Sequence, residues 1–414
     1  MFRRPRFVFV LHMFGHGGTD RVCAHLARGF AEAGIETEIV VFSRGGDAEA
    51  ELLRLAGRAV RVTFLGQRGA SRALDLIGRA LAFVAHIRRV RPDCVVSSAN
   101  HLNWLVAVGA RLARVRDCQV VLKITNPVDK AIDSPLWRRL KRLVLGRIFG
   151  LADRVLTLAD SETRALRPRF PHSAERFVTV RNPYATVEMF APPAPSAANR
   201  EKLVLAVGRL ARQKRLDLLI ETFSRVTAPH TRLVILGEGP ERAALTAQIA
   251  RLGLTDRVDM PGYVADPQAW YARADAMVLT SVYEGLPAVV LEAMAANCPV
   301  ISTDCFLEAR ALIAPAEGCA VAPAEPQALA EAIDACLAQP RPMTLCEIAG
   351  RYSVESGVHS HLAQILPLLG SRAVGASGVM APAQRAAYLL SRSPEALAAA
   401  DLEPLGHSLA AKQG

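Results

Sequence analysis

Short apolar runs alternate with helix-length segments along most of the chain, the pattern expected of parallel strands joined by crossover helices. In the first half this predicts strands near 6–11, 36–42, 60–64, 93–97, 118–124, 153–158 and 176–180, with helices over 19–33, 71–91 and 101–114 among the gaps. The rhythm repeats in the second half as LVLAVG (203–208), RLVILG (232–237), VDMPG (258–262), AMVLTS (276–281), PVIST (299–303) and CAVAP (319–323). The expectation is an α/β chain of two Rossmann-like domains. Residues 1–190 form the first and 201–369 the second, with the helical stretch 350–369 a candidate to cross back onto the first. Between them FAPPAPSAANR is rich in Pro, Ala and Ser and lacks periodicity, so 191–200 reads as a linker. GSRAVGASG opens a second linker, and 370–414 ends in an Ala-rich tail to which no function attaches.

Length and composition agree with two cores: 414 residues, 51% of them hydrophobic. No run of about 18 uncharged apolar residues is present. The N-terminal FVFVLHMF is too short to span a bilayer and has no small-residue cleavage site behind it, so it reads as a buried first strand of a soluble, cytoplasmic protein. The eight cysteines (23, 94, 118, 298, 305, 319, 336 and 346) form no CxxC pair and no zinc spacing with histidine, which suggests reduced core residues and no metal. Charge divides the halves. Residues 1–190 hold 31 Lys and Arg against 17 Asp and Glu, or +14, whereas the other 224 hold 19 against 22, or −3. A field of that sign favours anionic partners.

Open parallel sheets bind ligands beyond the C-terminal ends of their strands, so the residues found there carry the chemistry. In SVYEGLPAVVLEAMAANCPVIST (281–303), Glu284 and Glu292 sit in an otherwise small and apolar stretch, Glu284 before a helix that Pro287 opens and Glu292 inside it. A buried carboxylate needs a cation or a ligand. The plainer alternative is that Glu284 caps the helix and Glu292 pairs with an arginine. GRLARQK places Arg209 and Lys214 just past a strand, five residues apart, where both cations can converge on a diphosphate, although two solvated bases would look the same. GEGPE brings Gly237 and Gly239 to the next strand end, where a base or ribose can approach backbone. In the first half FGHGGTDRV sets Gly15, Gly17 and Gly18 before a helix, an anion-binding turn or a plain tight turn. Two cations, two carboxylates and glycine turns suit a nucleoside diphosphate with polyhydroxyl groups at each end. The carboxylates then read as hydroxyl binders, one for a sugar and one for a ribose.

GRLARQK, GEGPE with Leu245, VDMPG and EGLPAVVLEAMAANCPVI together resemble the retaining glycosyltransferases of family 4, and GGTDR is similar to that family's GGxER. The resemblance covers roughly residues 6–365. It implies the GT-B fold, with two parallel sheets facing a central cleft, and transfer of a sugar from a nucleotide-diphosphate sugar, as co-substrate, to a saccharide or lipid-linked acceptor in polysaccharide, lipopolysaccharide or glycolipid synthesis. Arg209 and Lys214 would hold the diphosphate, Glu292 the ribose and Glu284 the donor sugar, with Gly285 and Leu286 beside it and Gly17 and Gly18 closing over the phosphates. His101, with Asn100 just past a strand, matches a family histidine near the reacting sugar, or serves structure alone. Lys123 and Asn126 of KITNP are weaker cleft candidates, and RNPY (181–184) resembles a structural turn at the domain junction. The family's same-face displacement needs no side-chain nucleophile and no metal: the departing phosphate takes the acceptor's proton while Arg209 and Lys214 stabilise it. One stretch departs from the pattern. FLEARALI puts Glu308 where the family has glycine and Ala311 where it has an acid, which places donor choice, and activity itself, in question.

DSPLWRRLKRLVLGRIFGL (133–151) sets Leu136, Trp137, Leu140, Leu143, Val144 and Ile148 at helical spacing among Arg138, Arg139, Lys141, Arg142 and Arg147. It reads equally as an interfacial helix on an anionic inner membrane or as a core-facing helix with a solvated basic side. Two further functions compete with transfer. One is a related epimerase or phosphorylase, for which no pyridoxal lysine is evident; the other is a non-catalytic basic binding protein. With 6% aromatics and no base-stacking motif, nucleic acid is not an expected partner.

Overall fold

The computed structural model describes residues 4–15, 17–44, 48–66, 72–128, 134–190 and 201–373. The first domain runs β1 (Arg6–Leu11), α1 (Gly18–Glu32), β2 (Glu36–Val41), α2 (Glu49–Ala56), β3 (Arg61–Phe64), α3 (Arg72–Val90), β4 (Cys94–Ser97), α4 (Asn103–Ala113), β5 (Gln119–Lys123), α5 (Pro135–Gly150), β6 (Arg154–Thr157), α6 (Asp160–Leu166) and β7 (Phe177–Thr179). The second runs β8 (Lys202–Val207), α7 (Leu216–Phe223), β9 (Thr231–Leu236), α8 (Arg242–Arg251), β10 (Val258–Gly262), α9 (Gln268–Arg273), β11 (Ala276–Leu279), α10 (Ala288–Ala295), β12 (Val300–Thr303), α11 (Ala309–Leu312), β13 (Ala320–Ala322), α12 (Pro326–Leu337), α13 (Leu345–Gly350) and α14 (Val354–Ile365). Each apolar run singled out in the sequence contains a strand. The linker 191–200 and the tail from 374 onward lie outside the described residues.

All pairings between these strands are parallel, in the orders β3-β2-β1-β4-β5-β6-β7 and β10-β9-β8-β11-β12-β13. Both orders reverse at the first strand of the domain, so each sheet has a crevice there, between β1 and β4 in one and between β8 and β11 in the other. Phe7, Phe9 and Leu11 of β1 face the α1 side while Val8 and Val10 face α3 and α4. Burial on both faces is why these strands are apolar throughout rather than alternating.

The chain passes back to the first domain near its end. Tyr184 and Ala185 N–H donate to Tyr352 O, and Ala185 pairs with Ser353 in a parallel bridge. Ser353 then caps α14 by accepting from Ser356 N–H at 3.1 Å. Such a cap stabilises a helix by about 1 kcal/mol. α14 packs on α1 so tightly that a Cβ on Gly29 would lie 2.4 Å from a Val358 methyl. One apolar cluster consequently runs from β1 and α1 through Val358 and Leu362 to Leu291 and Met294 of α10.

The helix α5 settles the choice between core-facing and exposed. Ser134 caps it and Pro135 opens it. Leu136 is 79% exposed, Trp137 52%, Leu143 63% and Val144 50%, so the first three turns turn their apolar side outward. Its C-terminal part packs on the core, Ile148 and Phe149 within it and Leu145 against it.

Candidate functional site

Lys214 and Glu284 meet beyond the ends of the adjacent strands β8 and β11. After β8 the chain makes a 3-10 turn over Arg212–Lys214, and Arg215 in the left-handed region (φ 48°) breaks it before α7. Lys214 therefore precedes the helix rather than entering it. Thr280 Oγ1 donates to both Lys214 O and Arg215 O at 2.9 Å, and Gln213 exchanges bonds with Val282 N–H and Tyr283 O. These bonds hold Lys214 Nζ 2.7 Å from Glu284 Oε1, which also accepts from Ser281 Oγ at 2.7 Å. A buried carboxylate is stable here because a cation and a hydroxyl both donate to it. Glu284 makes no helix cap: Pro287 occupies that position of α10 and no side chain caps it. Arg209 lies exposed on the same loop.

Glu292 is buried one turn inside α10, where Tyr271 Oη donates to its Oε2 at 3.0 Å. Burial pushes its pKa up, and the guanidinium of Arg21 from the first domain offsets part of that rise. Arg21 is held in place by Glu51 at 2.8 Å and by Ala265 O at 2.6 Å, the latter across the cleft. The glycines after β9 have a structural cause. A Cβ on Gly237, whose φ is 143°, would lie 2.0 Å from Gly208 O, and one on Gly239 would lie 2.3 Å from Leu210 O.

The glycine turn of the first domain stands against this site. Gly17 is the extended N-cap of α1, and Gly18 faces Ala288, the first residue of α10, with its would-be Cβ 3.6 Å from the alanine methyl. Two helix N-termini thus converge on one gap, each favouring an anion through its dipole. Asp20 Oδ2 accepts from Gly15 N–H at 3.1 Å and braces the turn; burial raises its pKa to about 6.

The facing wall is a loop held by Asn100. Its Oδ1 accepts from Thr125 N–H (2.6 Å) and Thr125 Oγ1 (3.1 Å), and its Nδ2 donates to Asn126 O (2.8 Å). That loop presses on EGLP: a Cβ on Gly285 would lie 2.0 Å from Thr125 O. Leu286 is buried, and its carbonyl accepts from Tyr184 Oη of RNPY at 2.9 Å. His101 is exposed next to Asn100, its ring edge-on to His12 at 5.7 Å.

Lys123 corrects the sequence reading. It does not line the cleft but is buried, with Nζ 2.9 Å from His361 Nε2 of α14, and burial lowers its pKa to about 7. His361 Nδ1 is 2.8 Å from Gly357 O, so the neutral ring donates there and accepts from the lysine. Glu308 also has a use that the family comparison did not suggest. It bridges the domains, its Oε1 accepting from Ser161 N–H at 3.2 Å and from Ser161 Oγ. Sequence reasoning missed Arg21, Ser281, Tyr271 and His12. Arg21 was visible as the last residue of GGTDR; nothing local marked Tyr271.

Two family models match the chain in succession, glycosyltransferase family 4 over residues 16–188 and glycosyl transferases group 1 over 190–353. The chain is a group 1 glycosyltransferase of the family 4 type. An uncharacterized glycosyltransferase of Methanocaldococcus jannaschii, MJ1059, is 25% identical over 253 residues, 58% of this chain and 62% of its own. The N-acetylgalactosamine-N,N'-diacetylbacillosaminyl-diphospho-undecaprenol 4-alpha-N-acetylgalactosaminyltransferase of Campylobacter jejuni is 24% identical over 294 residues, 71% of this chain and 79% of its own. Among solved structures, Anabaena Alr3699/HepE in complex with UDP and glucose superposes with a TM-score of 0.71 at 20% identity, covering 88% of this chain and all of that one. This glycosyltransferase therefore has the two-domain GT-B fold. None of its described helices is long and apolar enough to cross a membrane.

Proposed function

We propose that this glycosyltransferase moves a sugar, with retention of configuration and without a metal, from a nucleotide-diphosphate sugar to a saccharide or lipid-linked acceptor in polysaccharide or lipopolysaccharide synthesis. The observation that carries it is the Lys214–Glu284 pair at the end of β11, its carboxylate buried, facing the glycine turn of the other domain. Both bonds to Glu284 reach Oε1, which leaves Oε2 to accept from vicinal hydroxyls of a donor sugar. Lys214 has two further N–H groups for a diphosphate, with exposed Arg209 alongside. Glu292 would accept from the ribose, and Gly17 and Gly18 would offer N–H groups to the phosphates. In the transfer the C1–O bond to the phosphate breaks, the acceptor oxygen bonds C1 on the same face, and its proton passes to the departing phosphate oxygen. His101 would stand beside the reacting sugar. The relatives support the substrate classes: the Campylobacter enzyme is named for a diphospho-undecaprenol-linked glycan, and HepE binds UDP and glucose.

The test is a thermal-shift screen of UDP-, GDP-, ADP- and TDP-sugars on the wild type and Glu292→Ala. The expected result is one nucleotide that stabilises the wild type alone. No shift with any of them sinks the donor assignment. Turnover unchanged by EDTA is the outcome that fits a metal-free scheme.

The same proposal seats the first domain on the inner face of an anionic membrane. The apolar side of α5 is exposed, with Arg138, Arg139, Lys141 and Arg142 around it. Flotation with anionic but not with neutral vesicles is expected, and equal behaviour on both would rule the docking out.

A further inference from the structure

Arg21 and Glu292 belong to different domains and meet where the two helix starts meet. Gly18 of α1 faces Ala288 of α10; Arg21 comes three residues after the first and Glu292 four after the second, so each lies one turn inside its helix on the side turned to the other. Arg21 Nη2 donates across the cleft to Ala265 O at 2.6 Å, in the loop between β10 and α9, and Glu51 Oε1 anchors the same nitrogen at 2.8 Å from its own domain. The loop continues through Asp266 into α9, whose Tyr271 donates to Glu292 at 3.0 Å. Charged and titratable groups act on this buried carboxylate from several elements: Arg21 from α1, Tyr271 from α9, Asp266 from the loop and Tyr184 from the domain junction. Of these, Arg21 is the cation. On its other side α10 meets the buried Leu345 and Ala349 of α13. Burial favours the neutral acid and Arg21 the carboxylate, and the carboxylate is the form that accepts paired hydrogen bonds from a vicinal diol.

We propose that Arg21 is a positioning residue through which closure of the cleft readies Glu292 to accept from the ribose, so that the closed enzyme holds the nucleotide more tightly than the open one. This rests on reading Glu292 as the ribose ligand, and it adds how the other domain controls that ligand. Arg21 acts without touching the nucleotide. Withdrawing α1 from the second domain breaks the bond to Ala265 O and takes the cation away in the same movement. The carboxylate, still buried and now without that charge, favours its neutral form, whose acceptor capacity is smaller, and the ribose is released. Glu51 contributes by keeping the guanidinium at the cleft face of α1.

The experiment measures equilibrium binding of UDP-, GDP- and ADP-glucose, whose diphosphates stay ionised throughout, to the full chain from about pH 5 to 8. The affinity ratio of wild type to Arg21→Gln is expected to be about tenfold larger at the acid end than at the alkaline end, because without the guanidinium Glu292 takes up its proton at a higher pH. Arg21→Lys keeps the charge and should show no such widening; Arg21→Met gives the same direction as the glutamine if Arg21→Gln folds poorly. Asp20, with its pKa raised to about 6, and His25, lowered to about 4, lie on the same helix. The comparison is therefore repeated in Glu292→Gln, where the widening should vanish. A ratio constant with pH, or a widening that survives in Glu292→Gln, overturns the proposal and leaves Arg21 a tie between the domains. Failure of the underlying reading shows separately, before Arg21 is changed: as a Glu292→Gln variant that binds like the wild type, or a wild type that binds none of the three, and either outcome takes this inference with it.

Discussion

In the second domain the cleft residues come from two short segments, Arg209 to Lys214 and Ser281 to Glu292, and they bind one another: Lys214 to Glu284, Ser281 to Glu284, Thr280 to the turn that carries Lys214. In the first domain the corresponding wall is drawn from the ends of β1, β4 and β5, so His12, His101 and Thr125 are neighbours in space alone. One site is built around a pair of opposite charges and the other around two facing histidine rings and a loop held by Asn100. A pair completes itself and stays ordered before any ligand arrives, whereas residues gathered from separate strands depend on the fold around them for their order.

The sharpest way to break this contrast is within the pair. Lys214→Ala should lower kcat by roughly 10² to 10³, the usual loss on removing one preorganised donor, and should also lower the melting temperature, because Glu284 stays buried with Ser281 as its remaining side-chain donor. A comparable loss in nucleotide affinity with unchanged kcat would show that the lysine only binds. Next comes the contact between the two walls. Gly285→Ala adds a methyl where Thr125 O already stands, so the cleft cannot close fully. A fall of about 10² in kcat is expected from such a displacement, with nucleotide binding retained; full activity would mean the loop yields freely.

Glu308→Gly restores the glycine of the family pattern and removes both bonds to Ser161. Stopped-flow release of the nucleotide should then be severalfold faster, as expected when a bond between the two domains is lost. An unchanged rate would reduce Glu308 to surface decoration. The remaining effect is on stability rather than on rate. Lys123 has its pKa lowered to about 7 by burial, against 10.5 when unfolded. Between those values the unfolded chain binds the extra proton, so stability contributed at this residue rises with pH from about 7 to 10.5 and is at its floor below 7. Lys123→Met should flatten that rise in urea melts taken across the window, and identical slopes would deny the burial cost.

The same contrast explains what the sequence disclosed. The strands were legible because sheets covered on both sides demand unbroken apolar runs. EGLP and LEAM were legible because carboxylates in apolar surroundings stand out, and the residues that answer them are close in sequence. His12 was not, since the residue it meets, His101, is 89 positions away. Lys123 misled for a related reason. A lysine at a strand end normally points to solvent, and only the return of α14 from the far end of the chain covers it. Glu308 looked like a defect because its partner, Ser161, belongs to the other domain.

That return of α14 has a mechanical consequence. The polypeptide crosses between the domains twice, once after Phe190 and again at Tyr352–Ser353, and the second crossing is sewn to the first domain by Tyr184 and Ala185. Two connections restrict relative movement of the domains more than one would, and favour rotation about the line that joins them over sliding. Any opening of the cleft is expected to be such a rotation, one that parts Ala288 from Gly18 and Gly285 from Thr125 and returns them to the same places.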